Sequence, residues 1–182
     1  GRTPTLQPLV LELERAGEVI ATAQLPLRLS NVEEMFFQVD LTKVPRGFEE
    51  SVPALPELAP PDRTKDNNGA WTDELTNGNY FVFVHGFNVD AQGARGWQAE
   101  MFKRIHVLGG RARFVGITWH GATGLHLGDG YLDYHKAVFN ALQTGDALAK
   151  ALDFTAGKQV TIAAHSLGNA VVSQAIEFGE FR

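Results

Sequence analysis

Three short apolar runs, residues 80–84, 114–119 and 159–164, constrain the fold of this chain more than any other feature. The first, Tyr80 to Val84, has no charged residue and reads as a strand buried on both faces. After it Trp97, Met101, Ile105 and Leu108 recur at helical spacing, with Asp90 near the start and Gly109-Gly110 at the end. Between the second and third runs, Tyr134, Val138, Ala141, Leu142, Gly145, Leu148 and Leu152 mark another amphipathic helix. Residues 167–178 read as a third helix. Strand and helix repeating in turn predict an α/β fold, a parallel sheet with right-handed crossovers and flanking helices. The run 159–164 is expected at the centre of that sheet.

The rest of the chain has a different texture. Val10, Leu11 and Leu13 lead into Arg15-Ala16-Gly17-Glu18, and Val19-Ile20 restart the apolar pattern. This predicts a β-hairpin with a glycine turn. Leu25, Leu27 and Leu29 alternate with polar residues and Pro26, as in a half-buried strand with an edge or bulge. Asn31 is placed to cap a short helix holding Met35 and Phe36. Residues 41–78 carry Pro45, Pro53, Pro56, Pro60 and Pro61, and Asp66-Asn67-Asn68-Gly69 is a turn signal. The expected organisation is a small β-rich N-terminal segment (1–40), a Pro-rich connection (41–78) and an α/β domain (79–182).

Composition narrows the function classes. The chain of 182 residues is 44% hydrophobic and 20% charged, which suits one globular core. A net charge of -5 gives no general attraction to nucleic acid or anionic membrane. No apolar run is long enough to span a bilayer, so no transmembrane segment is expected. The absence of cysteine excludes disulfides and thiolate metal sites. His126, Asp129, Asp133 and His135 lie close in sequence but read as polar loop residues, so neither metal nor cofactor is expected. Lys103, Arg104, Arg111 and Arg113 read as a solvated helix end.

The chemistry sits where the third run meets its helix, at Ala163-Ala164-His165-Ser166-Leu167-Gly168-Asn169. A strand entering a sharp turn at a serine, with a helix after it, is the layout of a nucleophile elbow. A serine hydroxyl is a weak nucleophile until it is positioned and activated by a base. The strained turn needs small neighbours two residues away, which Ala164 and Gly168 provide. The Leu167 N–H then faces the position where an oxyanion forms. At the end of the first strand, His85-Gly86-Phe87-Asn88 forms a second turn. Gly86 allows close backbone approach, and the Phe87 N–H is the second candidate donor.

With these residues in view, the stretch 79–182 resembles the N-terminal half of an α/β-hydrolase, close to bacterial esterase and lipase-like members. The resemblance is carried by His85-Gly86-Phe87-Asn88, Ile117-Thr118-Trp119, residues 131–148 as the intervening helix, and residues 164–169. It implies that Ser166 is the nucleophile, that Phe87 and Leu167 line the oxyanion hole, and that a small-molecule or lipid ester is the substrate. The family supplies its acid and base after the serine. Residues 167–182 contain no histidine and no aspartate, and their acids are Glu177 and Glu180. The chain therefore reads as truncated, cleaved or incomplete, with association with a missing C-terminal half expected. Among upstream histidines, His120 and His126 follow the second strand on the same sheet edge as Ser166 and are the best substitutes as base. His85 reads as structural, His106 as a surface residue, and His135 as carried away from the edge by its helix. His165 should point to the face opposite Ser166. The expectation is a serine hydrolase acting on carboxylic esters; the alternative is a binding or interaction module that keeps the fold without turnover.

Overall fold

A computed structural model of the chain describes residues 8–25, 32–42, 44, 76–122 and 130–178. The N-terminal hairpin is present, with β1 (Leu9–Arg15) antiparallel to β2 (Glu18–Leu25). Its turn residues Ala16 and Gly17 have φ of 53° and 83°. Paired positive φ angles match the twist of the flanking strands. The register puts Leu9, Leu11, Leu13, Ala21, Ala23 and Leu25 on one face, and Val10, Glu12, Thr22 and Gln24 on the other. Both faces are exposed. Leu27, Leu29 and Asn31 lie outside the described residues.

A four-stranded parallel sheet positions the site. It contains β3 (Phe37–Asp40), β4 (Tyr80–Val84), β5 (Arg113–Thr118) and β6 (Val160–Ala164), in the order β3-β5-β4-β6. The crossover through α1 (Ala91–Val107) puts β5 on one side of β4, and that through α2 (Gly130–Ala151) puts β6 on the other. Helix α3 (Gly168–Phe178) follows β6 directly. Two expectations are corrected. The strand before the serine is not central: among the described residues its sheet neighbour is β4 alone. Met35 and Phe36 follow a 3-10 turn (Val32–Glu34) rather than sitting in a helix. Phe36 instead packs between Phe102 and Phe114, at 5.3 and 5.2 Å between ring centres. Residues 37–40, read from sequence with the N-terminal segment, form the strand that pairs with β5.

Each sheet face has its own core. Val39, Val82, Val84, Val115 and Ile117 pack with residues of α2 and α3. Phe83 and Phe114 pack with Ala99 and Phe102 of α1 on the other side. Alternate residues of β4 therefore serve opposite cores, which explains its unbroken apolar run.

Helix α1 starts where expected: the Asp90 carboxylate caps it by accepting the Gly93 N–H at 2.6 Å. Its buried stripe differs from the sequence reading. Ala94, Gln98, Ala99 and Phe102 face the sheet, whereas Trp97 is 43% and Leu108 87% exposed. Gly116 explains the offset. Any side chain there would collide with Gln98, so the missing Cβ lets the helix settle on β5 along the 94–98–102 line. Gln98 is held there by donating to Thr118 Oγ1 at 3.0 Å. The basic residues Lys103 and Arg104 lie at the surface, both paired with Glu100.

Helix α3 takes its direction from its contact with α2. A Cβ on Gly145 would lie 2.5 Å from Gln174 Cβ and 2.9 Å from Ala175 N, so this crossing requires glycine. Gly145→Val is expected to lower stability by about 1–3 kcal/mol through overpacking, read as a lower urea midpoint. An unchanged midpoint would mean that the helices can separate at no cost.

Candidate active site

Strands β4 and β6 run side by side, with Val84 opposite Ala164, so their carboxyl ends open into adjacent turns. In the β6 turn, Ser166 has a φ of 51°. A left-handed conformation is uncommon outside glycine and costs on the order of 1–3 kcal/mol. It is the backbone geometry that exposes a serine between strand and helix. Ser166 is solvent-exposed, and α3 begins two residues later. In the β4 turn, Asn88 is also left-handed, with a φ of 56°, and its N–H donates to Gly121 O at 2.9 Å.

The two turns touch through glycines. A Cβ on Gly86 would lie 2.8 Å from His165 Nδ1, 2.9 Å from His165 O and 3.1 Å from Ser166 Cβ. A Cβ on Gly168 would lie 2.5 Å from His85 O and 2.9 Å from Val84 O. Gly168 is thus small for a reason that the sequence reading did not give: it meets the backbone of β4, not only the interior of its own turn. The turn is further braced by Asn169, whose Nδ2 donates to Ser166 O at 2.8 Å.

The amides sort themselves by what they bond. Those of Asn88, Gly168, Asn169 and Ala170 donate to backbone carbonyls. Among the described residues, the Gly86, Phe87, Ser166 and Leu167 N–H groups, two in each turn, have no such acceptor. The expected oxyanion site would need undirected N–H groups beside the exposed serine, and Phe87 and Leu167 are among these four.

Of the histidines, His85 is fully buried and tied into the framework. Its Nδ1–H donates to Gly86 O at 3.0 Å, its Nε2 accepts the Trp119 N–H at 3.1 Å, and its own carbonyl accepts Trp119 Nε1–H at 2.8 Å. His85 is thus bound into the framework through both ring nitrogens, and Trp119, read from sequence as the end of the second strand and part of the family resemblance, anchors it. His165 lies on the α1 side, as alternation predicts, with its ring edge-on to Trp97 at 4.8 Å. The carbonyl of His120 accepts Asn140 Nδ2–H at 3.3 Å, which fixes that loop to α2. His126 lies outside the described residues. His106 stacks on Phe102 at the surface, and His135 is exposed on α2. Among the described residues no histidine ring hydrogen-bonds to the Ser166 hydroxyl, no cluster of His, Cys, Asp or Glu could hold a metal, and no helix is long and apolar enough to cross a membrane.

Residues 66–179 match the family model described as alpha/beta hydrolase of unknown function (DUF900). The chain belongs to this α/β-hydrolase family. No curated protein and no solved structure matches it. The matched region takes in the sheet strands β4, β5 and β6, the three helices and both turns.

In this α/β hydrolase the His85–Trp119 clamp couples the β4 turn to pH. Burial pushes the imidazole below its ordinary value of 6.5, outweighing the opposite pull of its bond to Gly86 O. The Trp119 N–H also requires a lone pair on Nε2, so it too opposes protonation. The unfolded chain therefore takes up this proton at a higher pH than the folded chain. The resulting stability is complete above about pH 6.5 and is lost as pH falls below it. His85→Asn keeps a donor near Nδ1 but strands the Trp119 N–H. It is expected to cost about 1–3 kcal/mol at pH 7.5, with the gap to wild type narrowing at pH 5. Denaturation curves at both pH values check this; a constant gap would mean that His85 takes up its proton at the same pH in the native and unfolded chains.

Proposed function

We propose that this protein is a serine hydrolase acting on carboxylic esters, with Ser166 as nucleophile. The left-handed φ of Ser166 between β6 and α3 carries this reading. A residue with a side chain is held in that conformation only where the surroundings over-determine it, and such strain concentrates at functional sites. Ser166 Oγ attacks the acyl carbon, and the carbonyl oxygen becomes an oxyanion that accepts the Phe87 and Leu167 N–H groups. The base takes the hydroxyl proton and returns it to the leaving alcohol, and water then releases the acid from the acyl-enzyme. The family order places an acid and a histidine base after the serine. Association with a C-terminal half carrying them is therefore part of the proposal; within residues 1–182, His120 and His126 are the substitutes.

A second reading is supported by one observation: among the described residues no histidine engages the Ser166 hydroxyl. On that reading the fold is a binding module whose serine does not turn over. The two separate on one experiment. With residues 1–182, a fluorophosphonate should modify Ser166 slowly, and Ser166→Ala should remain unmodified by mass spectrometry. Turnover of p-nitrophenyl acetate should stay far below that of complete triads, since oxyanion stabilisation and binding without the triad leave about 10³–10⁴-fold over water. Supplying the downstream acid and histidine should restore it. Equal modification of wild type and Ser166→Ala would remove the nucleophile; no modification of either would favour the binding module.

A further inference from the structure

Trp97 is a large aromatic residue on α1 that the hydrophobic core does not use. It stands half-exposed beside a groove of about 500 Å³ that Phe83, Met101, Ala163 and His165 also line. Its defined contact is the His165 ring, edge-on at 4.8 Å. The same ring also meets the backbone of the β4 turn: His165 Nδ1 is 2.8 Å from where a Gly86 Cβ would stand. The His165 N–H is meanwhile fixed to Val84 O at 2.9 Å. Histidine 165, itself solvent-exposed, therefore touches both the indole and Gly86, and it immediately precedes the serine. Gly86 immediately precedes Phe87. The ring thus links Gly86, the residue before Phe87, to the strand end that leads into Ser166 and Leu167.

We infer that Trp97 and His165 are positioning residues: they set the separation between the Phe87 and Leu167 amides by holding the β4 turn against the serine turn. The inference rests on the serine-hydrolase reading for its chemical meaning and on the geometry for its mechanism. With Trp97 removed, the His165 ring can swing into the groove and the Gly86–Phe87 peptide gains room to drift. Neither residue touches the reacting atoms. Their replacement should leave the fold in place, because Trp97 covers an open groove, but should blunt the site. A misplacement of about 1 Å can be worth on the order of a hundredfold in rate.

The test uses residues 1–182 as wild type, Trp97→Ala, Trp97→Phe and His165→Ala. Hydrogen exchange of the Asn88 and Gly168 amides, which lie in the β4 turn and the serine turn and donate to backbone carbonyls, is followed by NMR, with thermal midpoints and the rate of Ser166 phosphonylation measured alongside. Trp97→Ala and His165→Ala should speed exchange at these two amides and slow phosphonylation, each roughly tenfold or more. Probe affinity, core-strand exchange and the thermal midpoint should be preserved. Trp97→Phe keeps an aromatic edge for the histidine and should restore both rates to near wild type. Unchanged exchange at Asn88 and Gly168 in Trp97→Ala would overturn the inference. So would a Trp97→Phe variant as impaired as Trp97→Ala, or a loss shared by the whole sheet. If Ser166 of the wild type is not phosphonylated at all, the serine-hydrolase reading falls, and the exchange rates alone decide the positioning.

Discussion

The close approach of two backbone turns at the carboxyl ends of β4 and β6 is the constraint on which the candidate site depends. Gly168 lies against the carbonyls of Val84 and His85, and Gly86 lies against His165 and Ser166. Side chains at either position would push the turns apart. Parallel pairing of β4 with β6 makes the approach possible, because it brings two strand ends to the same edge in register. The rest of the framework defends it. His85 and Trp119 tie the β4 turn to β5, Asn88 ties it to Gly121, and Asn169 braces the serine turn. The strain at Ser166 is sustained by this network.

Much of this was legible in the sequence where a local rule governs. The β4 run has no alternation because its residues serve two cores, so its bounds follow from composition alone. The hairpin turn follows from Ala16-Gly17, and the start of α1 from Asp90. The serine turn was readable because strain and small neighbours leave a compositional trace. What failed depended on long-range packing. The face of α1 was set by Gly116, a residue of β5, and no periodicity within the helix encodes that. The pairing of residues 37–40 with β5 joins segments some 80 positions apart in sequence. The place of β6 in the strand order was decided by the direction of a crossover. Trp119 carried part of the family resemblance, but nothing marked it as the clamp on His85, since a tryptophan at a strand end is equally at home in a core.

The histidines show the same division between local and global information. Six occur in the chain; the sequence kept His120 and His126 as substitute bases and set the other four aside. Burial and bonding separate them. His85 is neutral by construction, because Nδ1 must donate and Nε2 must accept. A ring with both nitrogens committed to the framework cannot shuttle a proton to a serine. His165, though adjacent to the nucleophile, spends its ring on Trp97 and Gly86 at the opposite sheet face. Proximity in sequence to a reactive residue is thus a poor guide to chemistry when strand alternation intervenes.

On the proposed reading, the geometry also divides the catalytic work between parts of the fold. Oxyanion stabilisation depends on backbone amides, whose placement is a property of the sheet edge and helix start. It can be built from β4, β6 and α3 alone. Each well-placed donor of this kind is worth about 10²–10³-fold in rate. Proton transfer is different: it needs a titratable side chain within hydrogen-bond reach of Ser166 Oγ, and so depends on which loops converge on that point. On that reading the Phe87 and Leu167 amides would supply the first contribution, while the described residues do not bring a histidine ring to the serine hydroxyl. A serine held in strain beside undirected amides is a demanding arrangement to maintain for binding alone, because a simple helix cap would satisfy the same backbone without the left-handed turn. The strain is therefore better explained by a reacting carbonyl than by the helix that follows it.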